Sequence, residues 1–213
     1  VKCVIGHDCR NNSRLFAEIV AGVMAANGIK VYLFEALRPT PEISFAIRHL
    51  GCQGGVVCTA SHNPKEYNGY KAYWDDGGQL VPPHDKNVII EVDKVAGVDD
   101  VKWSGGESNI TLIGIEMDEA YMQMIQSLSV YPEVCKAQHD LKIVYTSIHG
   151  TGITLVPQVL ERFGFTNVTS WGATGAARSN SDTRVSALRW APRGLISKAK
   201  RVWWAMCATK FCG

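Results

Sequence analysis

The sequence predicts an α/β fold: a layered domain whose mixed, largely parallel sheet lies between helices, followed by the start of a second α/β unit. Three observations lead there. Short apolar runs, "VKCVIG", "KVYLF" and "GGVVC", have the length and content of buried strands. Stretches of ten or more residues with apolar positions at helical spacing separate them, the alternation of a layered α/β domain. Glycines stand where those stretches must end.

Taken in order, "VKCVIGHD" reads as a strand, and Asn12 or Ser13 caps the helix "RLFAEIVAGVMAANG". Its apolar positions Leu15, Phe16, Ile19, Val20 and Val23 mark the face expected to pack, and Gly28 ends it. "KVYLFE" is a second strand. Pro41 suits the first turn of the next helix, "EISFAIRHLG", which Gly51 closes. "GGVVCTA" is a third strand. "GYKAYW" alternates like a fourth, with Tyr73 and Trp74 on opposite faces, and "DDGG" turns the chain. "PHDKNVIIEVDKV" reads as a helix and "DVKWSGGESNITLIG" as a loop. "EMDEAYMQMIQSLS" is amphipathic through Met117, Tyr121, Met124, Ile125 and Leu128, and its methionines are read as packing residues. A new βα unit opens near Asp140: strand "LKIVYTSIHGTG", helix "ITLVPQVLERFG" stopped by Gly164, then strand "TNVTSW". The expected division is therefore residues 1–138, 139–170, and 171–213 as a basic tail of a different character.

Composition narrows the function classes. The apolar fraction is 46% and the charged fraction 20%, enough to build a core. No apolar run approaches the roughly 20 residues of a membrane span. Seven cysteines, an odd number without a Cys-x-x-Cys pair, argue against a disulfide framework or a structural zinc site and for a reducing, cytoplasmic setting. The net charge of +2 is unevenly spread. From Trp171 onward there are eight Lys and Arg against the single acid Asp182, so residues 1–170 are net acidic. A nucleic-acid or membrane role would rest on that tail alone, and neither partner is expected.

The chemistry concentrates in "TASHNPKEYNGYKAYWDDGGQL", Thr59 to Leu80. Ser61 follows a buried strand, where open α/β sheets bind ligands. Pro64 holds Asn63 in extended or turn geometry. A hydroxyl held there can act as a nucleophile or carry a phosphoryl group, with His62 and Lys71 to offset charge or move protons. A Ser-His-Asn-Pro turn that only caps a strand is the alternative reading of these residues alone.

The run "TASHNPKEYNGYK", unbroken from Thr59 to Lys71, closely resembles the phosphoserine loop of the α-D-phosphohexomutases, the phosphoglucomutase and phosphomannomutase superfamily. "NGYKAYWDDGGQLVPPHD" is more similar to the phosphoglucomutase and phosphopentomutase branch, and "YTSIHGTG" to the opening of the family's second domain. The resemblance covers residues 1–168. It implies that Ser61 donates and recovers a phosphoryl group through a bisphosphorylated sugar, and that one oxygen of its phosphate coordinates Mg²⁺. It places His62 beside the phosphoserine and makes Lys71 a cationic acid/base, with Thr59, Ala60, Asn63 and Pro64 shaping the loop. It further implies sugar-phosphate partners, glucose 1-phosphate and glucose 6-phosphate, with glucose 1,6-bisphosphate as activator. Phosphomannomutase, phosphopentomutase, or a non-catalytic sugar-phosphate-binding module are the alternatives. Asp8 and Arg10 of "GHDCR" are expected to form a surface ion pair, and His149 to be a structural loop histidine.

The sequence also departs from the family pattern. The "T-x-G-x-R" segment and the aspartate-rich metal loop "D-G-D-x-D-R" are not found; "SNSDTR", Ser179–Arg184, does not align with the latter. The sugar-selecting and distal phosphate loops of later domains are not found either, so the second α/β domain is expected to be incomplete. Residues 171–213 hold four of the six tryptophans and show neither strand nor helix periodicity. They read as frameshifted or disordered sequence.

Overall fold

The computed structural model describes residues 1–172. Their elements are β1 (Lys2–His7), α1 (Ser13–Ala26), β2 (Lys30–Phe34), α2 (Thr40–His49), β3 (Gly54–Cys58), β4 (Tyr70–Trp74), α3 (His84–Val92), β5 (Ile110–Ile113), α4 (Ile115–Ser127), α5 (Pro132–Ala137), β6 (Ile143–Ile148), α6 (Val156–Arg162) and β7 (Val168–Gly172). Five strands form one sheet in the order β4-β3-β1-β2-β5, and β6 and β7 form a separate parallel pair. In the large sheet β1 runs parallel to β2 and β3, and β2 parallel to β5. β4 alone returns antiparallel, beside β3.

The order places a topological switch point between β1 and β3. The chain leaves β1 towards β2 on one side, and α2 then carries it back to β3 on the other. The two loops that leave the carboxyl ends of β1 and β3 diverge there and open a crevice, the usual ligand position in such sheets. The helices cover opposite faces. Alternate residues of β1 point either way, so Cys3 and Ile5 pack with Ala17, Ala21 and Ala25 of α1. Val4 packs on the other face with Ile43, Ala46 and Ile47 of α2 and Met117 of α4. Burial on both faces explains why the parallel strands read as continuous apolar runs. The α2 face is close-packed: a Cβ at Gly6 or Gly55 would overlap the side chains of Ile43 or Ile47. On α4, Tyr121 and Met122 join Leu155, tying this layer to the α6 unit.

Several expectations are corrected. Leu15, Phe16 and Ile19 of α1 point outward, 51%, 41% and 43% exposed, while Ser13 and the alanines face the sheet. A helix lying tightly on a sheet favours small side chains, which an apolar-period count underweights. Asn12 occupies the N-cap position in a left-handed conformation without a capping side-chain bond. The segment read as a loop after Asp100 contains β5, whose short "ITLI" pairs only with β2. On α4 the buried positions are Met117, Asp118, Tyr121 and Met122, and Leu128 is exposed. β7 continues through Gly172, two residues into the stretch expected to be atypical. The rest of that stretch, with its remaining tryptophans, lies outside the described residues. Tyr73 is buried and Trp74 exposed, the opposite facing expected of β4. Among the described residues no helix is long and apolar enough to cross a membrane.

Candidate functional site

β3 ends at Cys58, and the chain turns immediately into the Thr59–Gly69 loop. Ser61 takes φ 57°, in the left-handed region that non-glycine residues seldom adopt. The Thr59 hydroxyl accepts the Ser61 N–H at 3.1 Å and donates to Asp8 Oδ2 at 2.6 Å. The turn continues with Asn63 N–H donating to the Ala60 carbonyl at 3.2 Å, and the Pro64 carbonyl accepts from Tyr67 N–H at 3.0 Å. These contacts leave the Ser61 side chain exposed, with its Oγ 3.4 Å from His62 Nδ1.

The loop is held from β1's side by Asp8 and Arg10. The Asp8 carboxylate accepts from the Arg10 N–H at 3.0 Å, the Ser13 hydroxyl at 2.7 Å and the Thr59 hydroxyl. It also pairs with Arg10 Nε at 3.0 Å. The guanidinium then donates to three carbonyls of the serine loop: Pro64 at 2.7 Å, Tyr67 at 3.4 Å, and Ser61 itself. Asn68 closes the arrangement by donating to the Ser13 hydroxyl at 2.8 Å. The expected surface pair is thus a half-buried clamp, with the Arg10 and Asp8 side chains 7% and 14% exposed. The "GHDCR" motif is the sequence signal for it. That signal is weak on its own because the contacts span about fifty residues of chain.

A cleft of about 1280 Å³ opens over the loop, and Thr59, Ser61, His62, Asn63 and Pro64 all line it. Ala60 shapes the turn through its carbonyl. Lys71 is not on the cleft wall. It is half-buried on β4 opposite Val57, which does line the cleft. The wall also includes His149, Gly150 and Thr151 from the end of β6, and Arg38. Arg38 is bound at 2.6 and 2.8 Å by Asp118. Next to it Glu42 is wholly buried, and neither of its oxygens has a hydrogen-bond partner. Burial first, and then the neighbouring Asp118, push the Glu42 carboxyl up to about 9, against the opposing pull of Arg38, whose Nε lies 3.8 Å from Glu42 Oε2. Burial also raises the Cys9 thiol, which donates to the His149 carbonyl at 2.6 Å, and lowers the His7 imidazole.

An exposed serine hydroxyl, held in left-handed backbone at a sheet switch point beside an imidazole, thus faces the cleft of an α/β/α domain. Residues 1–97 match the phosphoglucomutase/phosphomannomutase alpha/beta/alpha domain I. A phosphoglucomutase from Staphylococcus epidermidis is 39% identical over 167 residues, which cover 76% of this chain and 30% of that protein. A Schizosaccharomyces pombe protein assigned as a phosphoribomutase is 37% identical over 166 residues, covering 76% of this chain and 28% of its own length. A solved structure from Thermus thermophilus, assigned as a phosphomannomutase, superposes with a TM-score of 0.66 at 27% identity, covering 79% of this chain and 36% of that one. The chain thus spans about 30% of the length of the curated relatives it matches.

Proposed function

We propose that the chain carries the phosphoserine domain and the opening of the second domain of a cytoplasmic phosphoglucomutase, dividing near residue 138. In this reading Ser61 shuttles phosphate between C1 and C6 of glucose. A sugar hydroxyl oxygen bonds to the phosphorus of phospho-Ser61 as the bond from phosphorus to Oγ breaks. The hydroxyl proton passes through a base and ends on Oγ, restoring the serine. The bisphosphorylated sugar turns over, and its other phosphoryl group returns to Oγ by the reverse of the same step. His62 and Lys71 are the groups assigned to move that proton and to offset the phosphoryl charge. Catalysis of this kind rests on positioning and electrostatics rather than on covalent chemistry by the protein.

The observation that carries the reading is the position of Ser61: exposed, left-handed, and held through its own carbonyl by Arg10 at the switch point. Glucose is preferred on the "NGYKAYWDDGGQL" pattern, whereas the relatives' names span gluco-, manno- and ribomutases. Mg²⁺ is the ion that the family resemblance implies, with the phosphate of Ser61 as one ligand. Among the described residues no group of three or more His, Cys, Asp or Glu side chains is placed to hold a metal. Both oxygens of Asp8 are already engaged. These residues do not fit the ion, and no step above passes through it.

The test is intact-protein mass after incubation with glucose 1,6-bisphosphate. The expected result is the gain of a single phosphoryl group that is absent in Ser61→Ala. Uptake that persists in that variant would overturn the assignment.

A further inference from the structure

We propose that His149 is a positioning residue for the phosphoryl group bound in the Ser61 cleft, a second imidazole acting with His62 from the β6 side. The proposal rests on the phosphoserine reading above, and the ligand it names is a phosphomonoester dianion. Among the described residues, the non-glycine positions with positive φ are Asn12, Ser61 and Ile148. They sit in the loops after β1 and β3 and at the end of β6, three of the four strand ends that open on this one cleft. Ile148 is the least expected of them, because a β-branched side chain disfavours φ 54°. Strained backbone of this kind concentrates at ligand sites.

The geometry around Ile148 re-aims the residue that follows. The β6–β7 register shifts between Thr146 and Ile148, and the Ile148 N–H donates to the Thr146 hydroxyl at 3.0 Å. Such an irregularity breaks the alternation of a strand and redirects a side chain. The next residue, His149, lines the cleft together with Ser61 and His62. Its carbonyl takes the Cys9 thiol hydrogen at 2.6 Å, which fastens the β6 end to the loop carrying Arg10. The same β1 loop therefore holds Ser61 on one side, through Arg10, and His149 on the other, through Cys9. The Asp8 carboxylate and the Arg10 guanidinium at the cleft's base are committed to each other and to the serine loop. The His149 ring, by contrast, makes no hydrogen bond or ion pair among the described residues. A phosphomonoester carries about −1.5 to −2 charges near neutral pH, and an imidazole is well suited to donate to it in either protonation state.

The experiment follows the imidazole ring resonances of the 213-residue chain while inorganic phosphate is added. The His62 and His149 signals are expected to move along one binding curve. His149→Gln is expected to weaken phosphate at least about tenfold, the scale of one net hydrogen bond to a charged ligand. His139→Gln, remote from the cleft, should leave the Kd unchanged. Movement of His62 without His149, or an unaltered Kd in His149→Gln, overturns the proposal and leaves the phosphoserine reading intact. Silence of both rings overturns it as well. A response of His149 in a chain whose Ser61 never gains phosphate from glucose 1,6-bisphosphate upholds the phosphate site and removes the phosphoserine reading.

Discussion

Arg10 shows how much a single side chain can fix. Its guanidinium meets three carbonyls of the serine loop while its Nε meets Asp8, so one planar fork holds the loop in register with β1. A lysine ammonium is a point charge and cannot reproduce that fork. We predict that Arg10→Ala and Arg10→Lys both slow phosphoryl uptake by Ser61 about 10²-fold, the cost of an ångström-scale misplacement. The check is the initial rate of mass gain from glucose 1,6-bisphosphate; a rate within a few fold of the unsubstituted chain would show that the clamp is not needed. Glu42 makes a different residue-scale prediction. Its folded carboxyl is raised from 4.5 to about 9 by burial and by Asp118, which outweigh the opposing pull of Arg38 at 3.8 Å. A raised carboxyl contributes stability that is complete below 4.5 and is lost as pH climbs through about 9. Glu42→Gln keeps a neutral side chain there at every pH. The fall of the urea midpoint between those pH values should therefore be shallower in Glu42→Gln than in the unsubstituted chain. Equal slopes would mean that Glu42 is ionised in the fold.

At the scale of elements, legibility follows locality. The strands β1, β2 and β3 and the serine loop are readable because each signal is contiguous: an apolar run, or the thirteen residues from Thr59 to Lys71. The Asp8–Thr59 and Arg10–Ser61 contacts join positions 51 apart, and only the fold brings them together. β5 escapes a sequence reading because four residues at an edge carry too little pattern to stand out. The facing of α1 is misleading in sequence because large apolar residues outweigh alanine in a period count. Yet Ala17, Ala21 and Ala25, spaced by four, are the residues that let the helix lie on the sheet. Two substitutions on this one helix separate the readings. Ala21→Leu adds volume to a fully buried position and should cost about 1–3 kcal/mol. Phe16→Ser changes an outward-facing residue and should stay within about 0.5 kcal/mol. Denaturant midpoints at constant m measure both, and the reverse order would put the apolar stripe back against the sheet.

For the whole molecule, the proposed function separates a phosphoryl carrier from the machinery of a complete catalytic cycle. The described residues supply Ser61, His62 beside it, Lys71 on the adjoining strand β4, and the clamp that holds the loop. They do not supply a metal-binding group, and the chain spans about 30% of the length of its curated relatives. Phosphoryl transfer is accelerated by fixed charges around the transferring group, and each such contact typically contributes a factor of about 10² to 10³ in rate. A first phosphorylation by the bisphosphate asks little beyond an accessible, positioned hydroxyl. Turnover asks in addition that the bisphosphorylated sugar be retained, reversed and bound again by its other end, which needs contacts on the far side of the ligand. We therefore predict that the 213-residue chain accepts a phosphoryl group at Ser61 but shows no measurable interconversion of glucose 1-phosphate and glucose 6-phosphate. A coupled assay on the purified chain with a bisphosphate primer and Mg²⁺ is the check. Turnover that disappears in Ser61→Ala would show that these residues suffice for the whole cycle, and that His62, Lys71 and the β6 end do more than the carrier role assigned to them.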